Sequence, residues 1–519
     1  MMVTLAMSFR FSCKPIYMAR IAVFVWTTST LVFHTWLQSP LYAETPERRE
    51  EQIFGDETDP KNEKSQQDVG VPPDAVAPAV AAPPFDSIAA EKDMFSEDSG
   101  NGEAISRSNL MSLGEDILQI GGQLYLRSAY VIQEDAAFSD NRFLMPNLLD
   151  VYFDARPNDR VRGFVRGRLT YDPTTTGAAT EPYGSSHDNP DVLLDQLWLK
   201  FDISRVVYAT VGKQPVKWGT SRFWNPADIL YGQLRDPLTL FDERTGLSLV
   251  KLHIPVESLG WNFYVIGMFD DAASLADVGG AFRGEFVWES VELGVSAAVR
   301  DGVKTKFGVD ISAGIFDVDV YAETTVSLGV DKPVLKLPEG VDPDLVEQAA
   351  GLIEDLIKPP GVDENDTVVR IAAGLTYGIR YSDEDSLFLG GEYFFNPIGY
   401  DDKDLYPLLY ALNIAQPLYV GRHYGAVYVA MPQPGSWDDT SFTLSAIGNF
   451  SDFSFLTRLD VAIRVLTYLN IEVYAAGHLG AHGGELRFGT DPLQLPTGDT
   501  VPAIAAPMVD LGFNLKLSI

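Results

Sequence analysis

The chain contains very little cysteine. Its single cysteine, Cys13, lies within residues 1–43, and everything from Glu44 onward is free of thiols. A chain without thiols forms neither disulfides nor thiolate metal sites. Disulfide bonds and metal sites with thiolate ligands are therefore excluded for the part of the chain after residue 43.

The chain also lacks long apolar runs after residue 43. A membrane-spanning helix needs about 20 consecutive apolar residues, so helical insertion of this part is excluded. If the chain spans a membrane, it does so as a closed β-barrel, because only closure satisfies every backbone polar group in lipid.

Basic residues are scarce. Lys and Arg number 39 against 72 Asp and Glu, which gives a formal net charge of −33. Such a chain does not bind nucleic acid by neutralising phosphates.

Catalytic motifs are missing as well. There is no P-loop and no dinucleotide fingerprint, and no nucleophile motif accompanies His253 or His423. His478 and His482 have a metal-like spacing, but the glycines around them argue against a rigid ligand pair. The sequence therefore predicts no enzyme activity, no cofactor and no metal site.

The N-terminus has the pattern of a secretory signal peptide. A basic stretch with Arg10, Lys14 and Arg20 precedes a mostly apolar run, and Ala43 offers a small residue for cleavage. An uncleaved anchor is the alternative. Residues 1–43 are therefore predicted to be a signal peptide. Residues 44–110 are acidic and rich in Pro and Ala, which predicts a disordered periplasmic tether.

From residue 111 to 519 the dominant pattern is alternation of apolar and polar residues. It is strictest in Val509–Ile519, and it recurs in Leu118–Arg127, Leu149–Arg156 and Leu197–Ile203. A soluble sandwich gives the same pattern, but the signal peptide, the missing cysteines and the terminal strand favour a membrane barrel. We predict an all-β, transmembrane, antiparallel, up-and-down β-barrel of about eighteen strands, with sixteen as the alternative count.

Connector lengths alternate between short and long, as in outer-membrane barrels with both termini in the periplasm. Pro157–Asp159, Ser204–Arg205 and Glu257–Gly260 are short, whereas Lys213–Thr245 and Asp331–Asp366 are long. Within the last connector, Leu345–Ile357 has a helical period and Pro359 follows it. This predicts a short helix in one external loop.

Several basic residues share the polar parity of their strands and are candidates to line the pore. They are Arg127, Arg160, Arg162, Arg166, Arg168, Lys200, Arg370 and Arg380. A row of guanidinium groups in a water-filled channel favours anions. The alternative is that these charges pair with acidic residues across the strands and only solvate the interior.

One motif is more specific than this patterning. The segment Val211–Gly219, reading VGKQPVKWG, leads into Phe223–Leu230, reading FWNPADIL. It resembles a motif of porin-like outer-membrane β-barrels related to the alginate-export type. The motif residues singled out are Trp218, Gly219, Trp224, Asn225, Pro226 and Asp228. Two interpretations stay open: an aromatic girdle at the external interface, or an inward-folded loop that narrows the pore.

Together these patterns predict a porin-like channel in the cell outer membrane for passive diffusion of small polar or anionic solutes. Its expected partners are outer-membrane lipid, a small solute, the barrel-assembly machinery and further copies of the chain in a homo-oligomer. A structural or surface-interaction barrel with a plugged lumen is the second hypothesis, and an outer-membrane hydrolase is the third.

Overall fold

A computed structural model describes residues 117–174, 179–180, 186–187, 189–232, 234–238, 244–331, 365–382, 385–411, 416–490, 493–494, 500–501 and 503–518. The predicted signal peptide, the predicted tether and the predicted helix at 345–357 lie outside these residues.

Eighteen long β-strands build the wall of the described molecule. They are β1 Leu118–Gln133, β2 Asn147–Asn158, β3 Val161–Tyr171, β4 Asp191–Ile203, β5 Val207–Gln214, β6 Leu247–Val256, β7 Trp261–Met268, β8 Gly279–Trp288, β9 Val291–Arg300, β10 Val303–Ile315, β11 Val318–Leu328, β12 Thr367–Arg380, β13 Ser386–Phe395, β14 His423–Pro432, β15 Thr440–Asn449, β16 Ser454–Leu466, β17 Leu469–Gly480 and β18 Pro507–Ser518.

These strands form one closed antiparallel barrel. Each strand pairs with its neighbour in sequence, and β18 pairs with both β17 and β1. The closing register runs from Gln123 opposite Ser518 to Gln133 opposite Pro507. The sheet has nineteen strands in all, because the short strand Arg142–Leu144 also pairs with β1. The predicted eighteen-stranded barrel, closed by its final strand against its first, is confirmed.

The alternation separates two faces of the wall, because successive side chains of a strand point to opposite sides of the sheet. On β2, Val151 and Phe153 are exposed on the outside, whereas Asp150 and Asp154 are buried inside. Large apolar side chains face outward on most of the other strands as well. This apolar exterior around a polar interior is the arrangement of a transmembrane barrel.

The two ends of the barrel differ in the length of their connections. Short connections close one end, where β1 begins and β18 ends; they include 159–160, 204–206, 257–260, 289–290 and 316–317. The other end carries all the long connections, together with two short ones at 301–302 and 450–453. The predicted placement of the long connectors on one side is therefore confirmed.

Three of the long connections fold into the barrel, and we name them loop A (215–246), loop B (396–422) and loop C (481–506). Loop B contains the six-residue helix α1, Tyr406–Ala411. A short helix thus does occur in a loop, in a different connection from the predicted one. No helix among the described residues combines the length and apolarity needed to cross a bilayer.

Apolar clusters hold these loops inside the barrel. Loop A packs Val216, Trp218, Ile229 and Leu230 against the inner wall of β6 to β9. The wall contributes Leu249, Ile266, Met268, Ala281 and Ala298 to this cluster. A second cluster joins Phe223 and Trp224 of loop A to Leu418 of loop B, Leu486 of loop C and Phe394 of β13. Loop A therefore contacts the inner wall both on β6 to β9 and on β13.

Candidate functional site

The inner wall of β2 to β4 carries the predicted arginines, and acidic residues from neighbouring strands pair with them. Arg168 lies directly opposite Asp150 in the β2–β3 register, and its Nε donates to Oδ1 of Asp150 at 2.8 Å. One step along the same wall, Arg162 forms an ion pair with Asp154, with Nη2 and Oδ2 2.8 Å apart. Cross-strand pairing of opposite charges stabilises a sheet.

The other two arginines of this row are paired in the same way. Arg160, in the turn between β2 and β3, contacts Asp202 at 2.8 Å, and Arg166 forms an ion pair with Asp195. The exposed fraction of the arginine side chains falls along the wall, from 51% at Arg160 and 28% at Arg166 to 4% at Arg168. The row is therefore open to solvent toward the short-turn end and closed toward the loops.

The remaining basic candidates do not continue this row. Arg127 is buried, and its Nε donates to the carbonyl oxygen of Pro146 at 2.6 Å. Lys200 lies over the ring of Tyr208, with Nζ 5.6 Å from the ring centroid. On β12, Arg370 donates from Nε to Oδ1 of Asn396 at 3.2 Å. Arg380 ends β12 at the short-turn end and is exposed.

An aromatic row lies beside the arginines and was missed by the sequence analysis. The rings of Tyr152 and Phe164 stack with centroids 5.7 Å apart, and those of Phe164 and Trp198 with centroids 5.3 Å apart. Arg162 lies over Trp198 at 5.4 Å. All three rings are partly exposed and share the strand parity of the arginines, which is the signal that could have found them.

Loop A is fixed to the opposite wall by one carboxylate. Glu392 of β13 accepts hydrogen bonds from three consecutive backbone N–H groups: Arg222 at 2.8 Å, Phe223 at 3.2 Å and Trp224 at 2.7 Å. The hydroxyl of Tyr321 also donates to Glu392, at 3.0 Å. Hydrogen bonds to an ionised acceptor are stronger than neutral ones, so this single buried group pins the middle of the loop.

The aromatic residues of the motif are packed inside the barrel. Trp224 has no exposed surface; its ring stacks on Phe394 with centroids 5.7 Å apart. Its Nε1 donates to the carbonyl oxygen of Leu418 at 3.0 Å, which ties loop A to loop B. Trp218 and Phe223 are buried as well. These rings do not reach lipid, so the girdle interpretation is wrong and loop A folds inward.

The other motif residues stand at the contact between loop A and the wall. The hydroxyl of Thr325 on β11 donates to the carbonyl oxygen of Pro226. Asp228 forms an ion pair with Arg244 at 2.6 Å. Gly219, with φ +94°, and Asn225 both lie against Glu323 of β11. The Asn-Pro sequence favours a turn here, and that turn faces β11.

Loops B and C meet around a second buried carboxylate, Glu485. Its Oε2 accepts from the Tyr424 hydroxyl at 2.7 Å and from Asn449 Nδ2 at 2.8 Å, and its own N–H donates to Asp452 at 2.8 Å. The amide of Leu418 donates to it from loop B. Burial, with the nearby Asp452 carboxylate, raises the pKa of Glu485 to about 8.

His478, one of the two histidines with a metal-like spacing, is held within the barrel wall. His478 on β17 bonds to Asp510 of β18 at 2.9 Å and to the carbonyl oxygen of Leu486, so both ring nitrogens are engaged in structure. Across the described ranges no group of three or more His, Cys, Asp or Glu residues is placed to hold a metal ion.

Comparison with known proteins was made at three levels. No protein-family model and no curated protein matches the chain. Solved structures that match include a mutant porin from Rhodopseudomonas blastica, at 9% identity and TM-score 0.37, which covers 78% of this chain and 100% of the porin. OmpT of Vibrio cholerae matches at 11% identity and TM-score 0.36, covering 78% and 100% of the two chains.

OccK1 (OpdK) of Pseudomonas aeruginosa matches at 10% identity and TM-score 0.44, and covers 78% of this chain and 99% of its own. Likeness at this level assigns no family. The fold rests on the strand pairing itself: the chain forms a closed eighteen-stranded antiparallel β-barrel with three loops folded into its interior.

Proposed function

We propose that this chain is a porin-like channel of the outer membrane, through which small polar solutes, including anions, diffuse passively. The observation that carries the proposal is the inner wall of β2 to β4. Its ion-paired Arg162 and Arg166 and its aromatic row stay partly exposed inside a barrel whose opposite wall is covered by loops. A wet, charged wall suits polar solutes, because it offers hydrogen bonds in place of those that a solute gives up to water.

In this proposal loop A forms the constriction. It leaves the wall after β5, and Glu392 fixes it to β13. Solute would pass between loop A and the arginine row, because that is where charged side chains keep solvent access. The pairing of each arginine with a carboxylate argues for weak rather than strong anion selectivity, since the two charges largely cancel at a distance.

The outer membrane is the proposed location, on the strength of the apolar barrel exterior and the predicted signal peptide. Lipid on the apolar face, the barrel-assembly machinery during insertion and a homo-oligomer are the partners that this location implies. The motif resemblance to the alginate-export type stays a hypothesis about ancestry.

A barrel with a plugged lumen, serving structure or surface interaction, is the second candidate. It is favoured by the apolar cluster in which loops A, B and C meet inside the barrel. The two candidates differ in one measurable property, which is whether ions cross the purified protein in a planar bilayer.

Cysteine scanning on a Cys13→Ser background tests both candidates. Phe164→Cys places a thiol on the inner face of β3, and Val165→Cys places one on the outer face of the same strand. Full-length protein with Phe164→Cys should conduct, and a charged methanethiosulfonate reagent should reduce that conductance. The Val165→Cys channel should not respond to the reagent.

Absence of conductance from the Cys13→Ser protein and from both cysteine variants built on it would support the plugged barrel. A conducting Phe164→Cys channel that reacts with the reagent without a change in current would show that the ion path avoids the arginine wall. Fractionation of cells adds a check on location, because recovery of the protein in the soluble periplasmic fraction would contradict a membrane barrel.

A further inference from the structure

Four oxygen-bearing side chains are buried on loop A and on β11, the strand that this part of loop A contacts. Glu323 of β11 is 2% exposed, and Thr220, Ser221 and Asn225 of loop A are 7%, 1% and 4% exposed. Burial of polar groups is costly unless they find partners. The burial of these four side chains therefore requires an explanation.

Gly219 shows how closely two of these groups approach. A Cβ added to Gly219 would lie 2.0 Å from Oε2 of Glu323 and 2.2 Å from Oδ1 of Asn225. The two oxygens are consequently within about 4 Å of each other. The backbone has φ +94° here, which favours glycine. The absence of a side chain at Gly219 thus lets a carboxylate oxygen and an amide oxygen approach the same point of the backbone.

Hydrogen bonds within the described part of the chain do not account for this cluster. Both oxygens of Glu323, both polar atoms of Asn225 and the hydroxyls of Thr220 and Ser221 find no acceptable hydrogen-bond geometry there. The Ser221 hydroxyl faces the Glu323 carboxylate but falls short of that geometry. By contrast, Glu392 nearby is saturated by three backbone donors and a tyrosine.

The charges around Glu323 are negative. The carboxylates of Asp310, Glu392 and Asp228 are close enough to act on it electrostatically. Two of these have their own cations, since Asp310 pairs with Arg283 at 2.6 Å and Asp228 with Arg244 at 2.6 Å. Glu323 is in no ion pair within the described residues. A buried carboxylate without a paired cation either takes up a proton or binds a cation from solution.

We propose that Glu323, Asn225, Ser221 and Thr220 bind a calcium ion, which joins loop A to β11. The donor set is carboxylate, amide and hydroxyl oxygen, which suits a hard cation, and calcium accepts irregular oxygen geometry more readily than magnesium. A site with one carboxylate is compatible with the finding that no group of three or more His, Cys, Asp or Glu residues among the described ranges is placed to hold a metal, and it differs from the prediction, made from the sequence, of no metal site. The proposal is independent of transport, because loop A is docked in an open or a plugged barrel alike.

The competing explanation for these unpartnered atoms is that the side-chain amide of Asn225 has the opposite orientation. If the side-chain amide of Asn225 is rotated by half a turn, its Nδ2 would donate to Glu323, and no metal would be needed. The two explanations make opposite predictions for Asn225→Asp. A second carboxylate strengthens a calcium site but repels Glu323 in the absence of metal.

Terbium, a luminescent calcium analogue, provides the first measurement, because Trp218 is adjacent to Gly219 in the chain and can sensitise it. Full-length folded protein in detergent, stripped with EDTA and kept in excess KCl to screen exposed carboxylates, should show saturable terbium emission on excitation of tryptophan. Calcium chloride should displace it. Glu323→Gln should weaken terbium binding about tenfold or more, because it removes the one carboxylate among the four proposed ligands.

Glu472→Gln is the matched control, since Glu472 is a buried inner-wall carboxylate that already accepts from Tyr125 and Asn514. It should leave terbium binding unchanged. Equal emission from wild type, Glu323→Gln and Glu472→Gln would overturn the proposal, as would the absence of calcium-displaceable emission from folded wild-type protein.

Asn225→Asp completes the test and uses calcium alone, followed by calorimetry. Tighter calcium binding than in wild type, by about tenfold, supports the site. Failure of calcium to bind this variant more tightly, together with faster tryptic cleavage in loop A with or without calcium, would assign Asn225 as a hydrogen-bond donor to Glu323 and refute the metal.

Discussion

Replacing Glu392 with Gln should release loop A from the wall. The carboxylate accepts from the N–H groups of Arg222, Phe223 and Trp224. Hydrogen bonds to a charged acceptor contribute about 1.5–3 kcal/mol each and neutral ones about 0.5–1.5 kcal/mol. Weakening three such bonds costs about 3 kcal/mol, which raises the undocked population of the loop about a hundredfold.

Trypsin measures that population in the folded protein. The peptide bond after Arg222 is held against Glu392 in the docked loop, and cleavage of a transiently opened segment follows its open population. The rate of cleavage after Arg222 should therefore rise about a hundredfold in Glu392→Gln, with the barrel itself intact. Glu472→Gln, a buried wall carboxylate outside the loop contact, serves as the control.

An unchanged cleavage rate in folded Glu392→Gln protein would refute the reasoning. It would mean that the apolar contacts of Phe223 and Trp224 hold the loop without help from the carboxylate. A rate that rises equally in Glu472→Gln would point to a general loosening of the barrel and not to loop release.

Two further predictions concern charge. Replacing Arg162 and Arg166 with Ala leaves the carboxylates of Asp154 and Asp195 in excess, so the reversal potential in a salt gradient should shift toward cations. The shift should shrink near 1 M salt, where the Debye length falls to about 3 Å; an unchanged potential in a conducting double variant would place the wall outside the ion path. The second prediction follows from the raised pKa of Glu485, about 8. Because docking favours the protonated carboxyl, loop C should be held most firmly below the ordinary pKa near 4.5 and should loosen as pH rises through about 8. Tryptic cleavage after Arg487 should therefore be faster at pH 9 than at pH 7, and Glu485→Gln should abolish the difference; a wild-type rate that does not change with pH, after correction for trypsin activity, would contradict it.

The wall of this barrel could be predicted from the sequence because the pattern that defines it lies within each strand. A strand that faces lipid on one side and water on the other must alternate, and Val151 and Asp150 already show the two sides in two adjacent residues. Closure follows from the same pattern, because the backbone groups of a strand in lipid need a partner on each edge, and β18 has β17 on one edge and β1 on the other.

The inward fold of loop A could not be predicted in the same way. Trp218 and Trp224 are equally suited to a lipid interface and to a packed interior, and nothing near them in sequence decides between the two. The deciding group, Glu392, lies far along the chain, and its contact with Trp224 exists only after the barrel has closed. The sequence is compatible with both an aromatic girdle and an inward-folded loop, and it does not distinguish between them.

The pairing of the arginine row has a similar cause. Arg168 and Asp150 are direct cross-strand neighbours, but the register that makes them so depends on the turn at 159–160 and on an irregularity between Ala155 and Asn158. A shift of one residue would send the arginine to the other face. Whether the row forms a ladder of free charges or a set of ion pairs is therefore a property of register, which alternation alone does not fix.

Loop A differs from an ordinary surface connection in one further respect. An external loop tolerates insertions and deletions because its ends are close together and its middle touches nothing. Loop A has its ends on β5 and β6, packs Val216 and Trp218 on β6 to β9 and fixes Trp224 to β13. The length of its first half must therefore match the distance between these wall contacts. Shortening the segment between Gln214 and Trp224 would pull the tryptophan from its place against Phe394. Residues added there would have to bulge into the remaining free cross-section of the barrel. Changes in length should accordingly be tolerated least between Gln214 and Trp224.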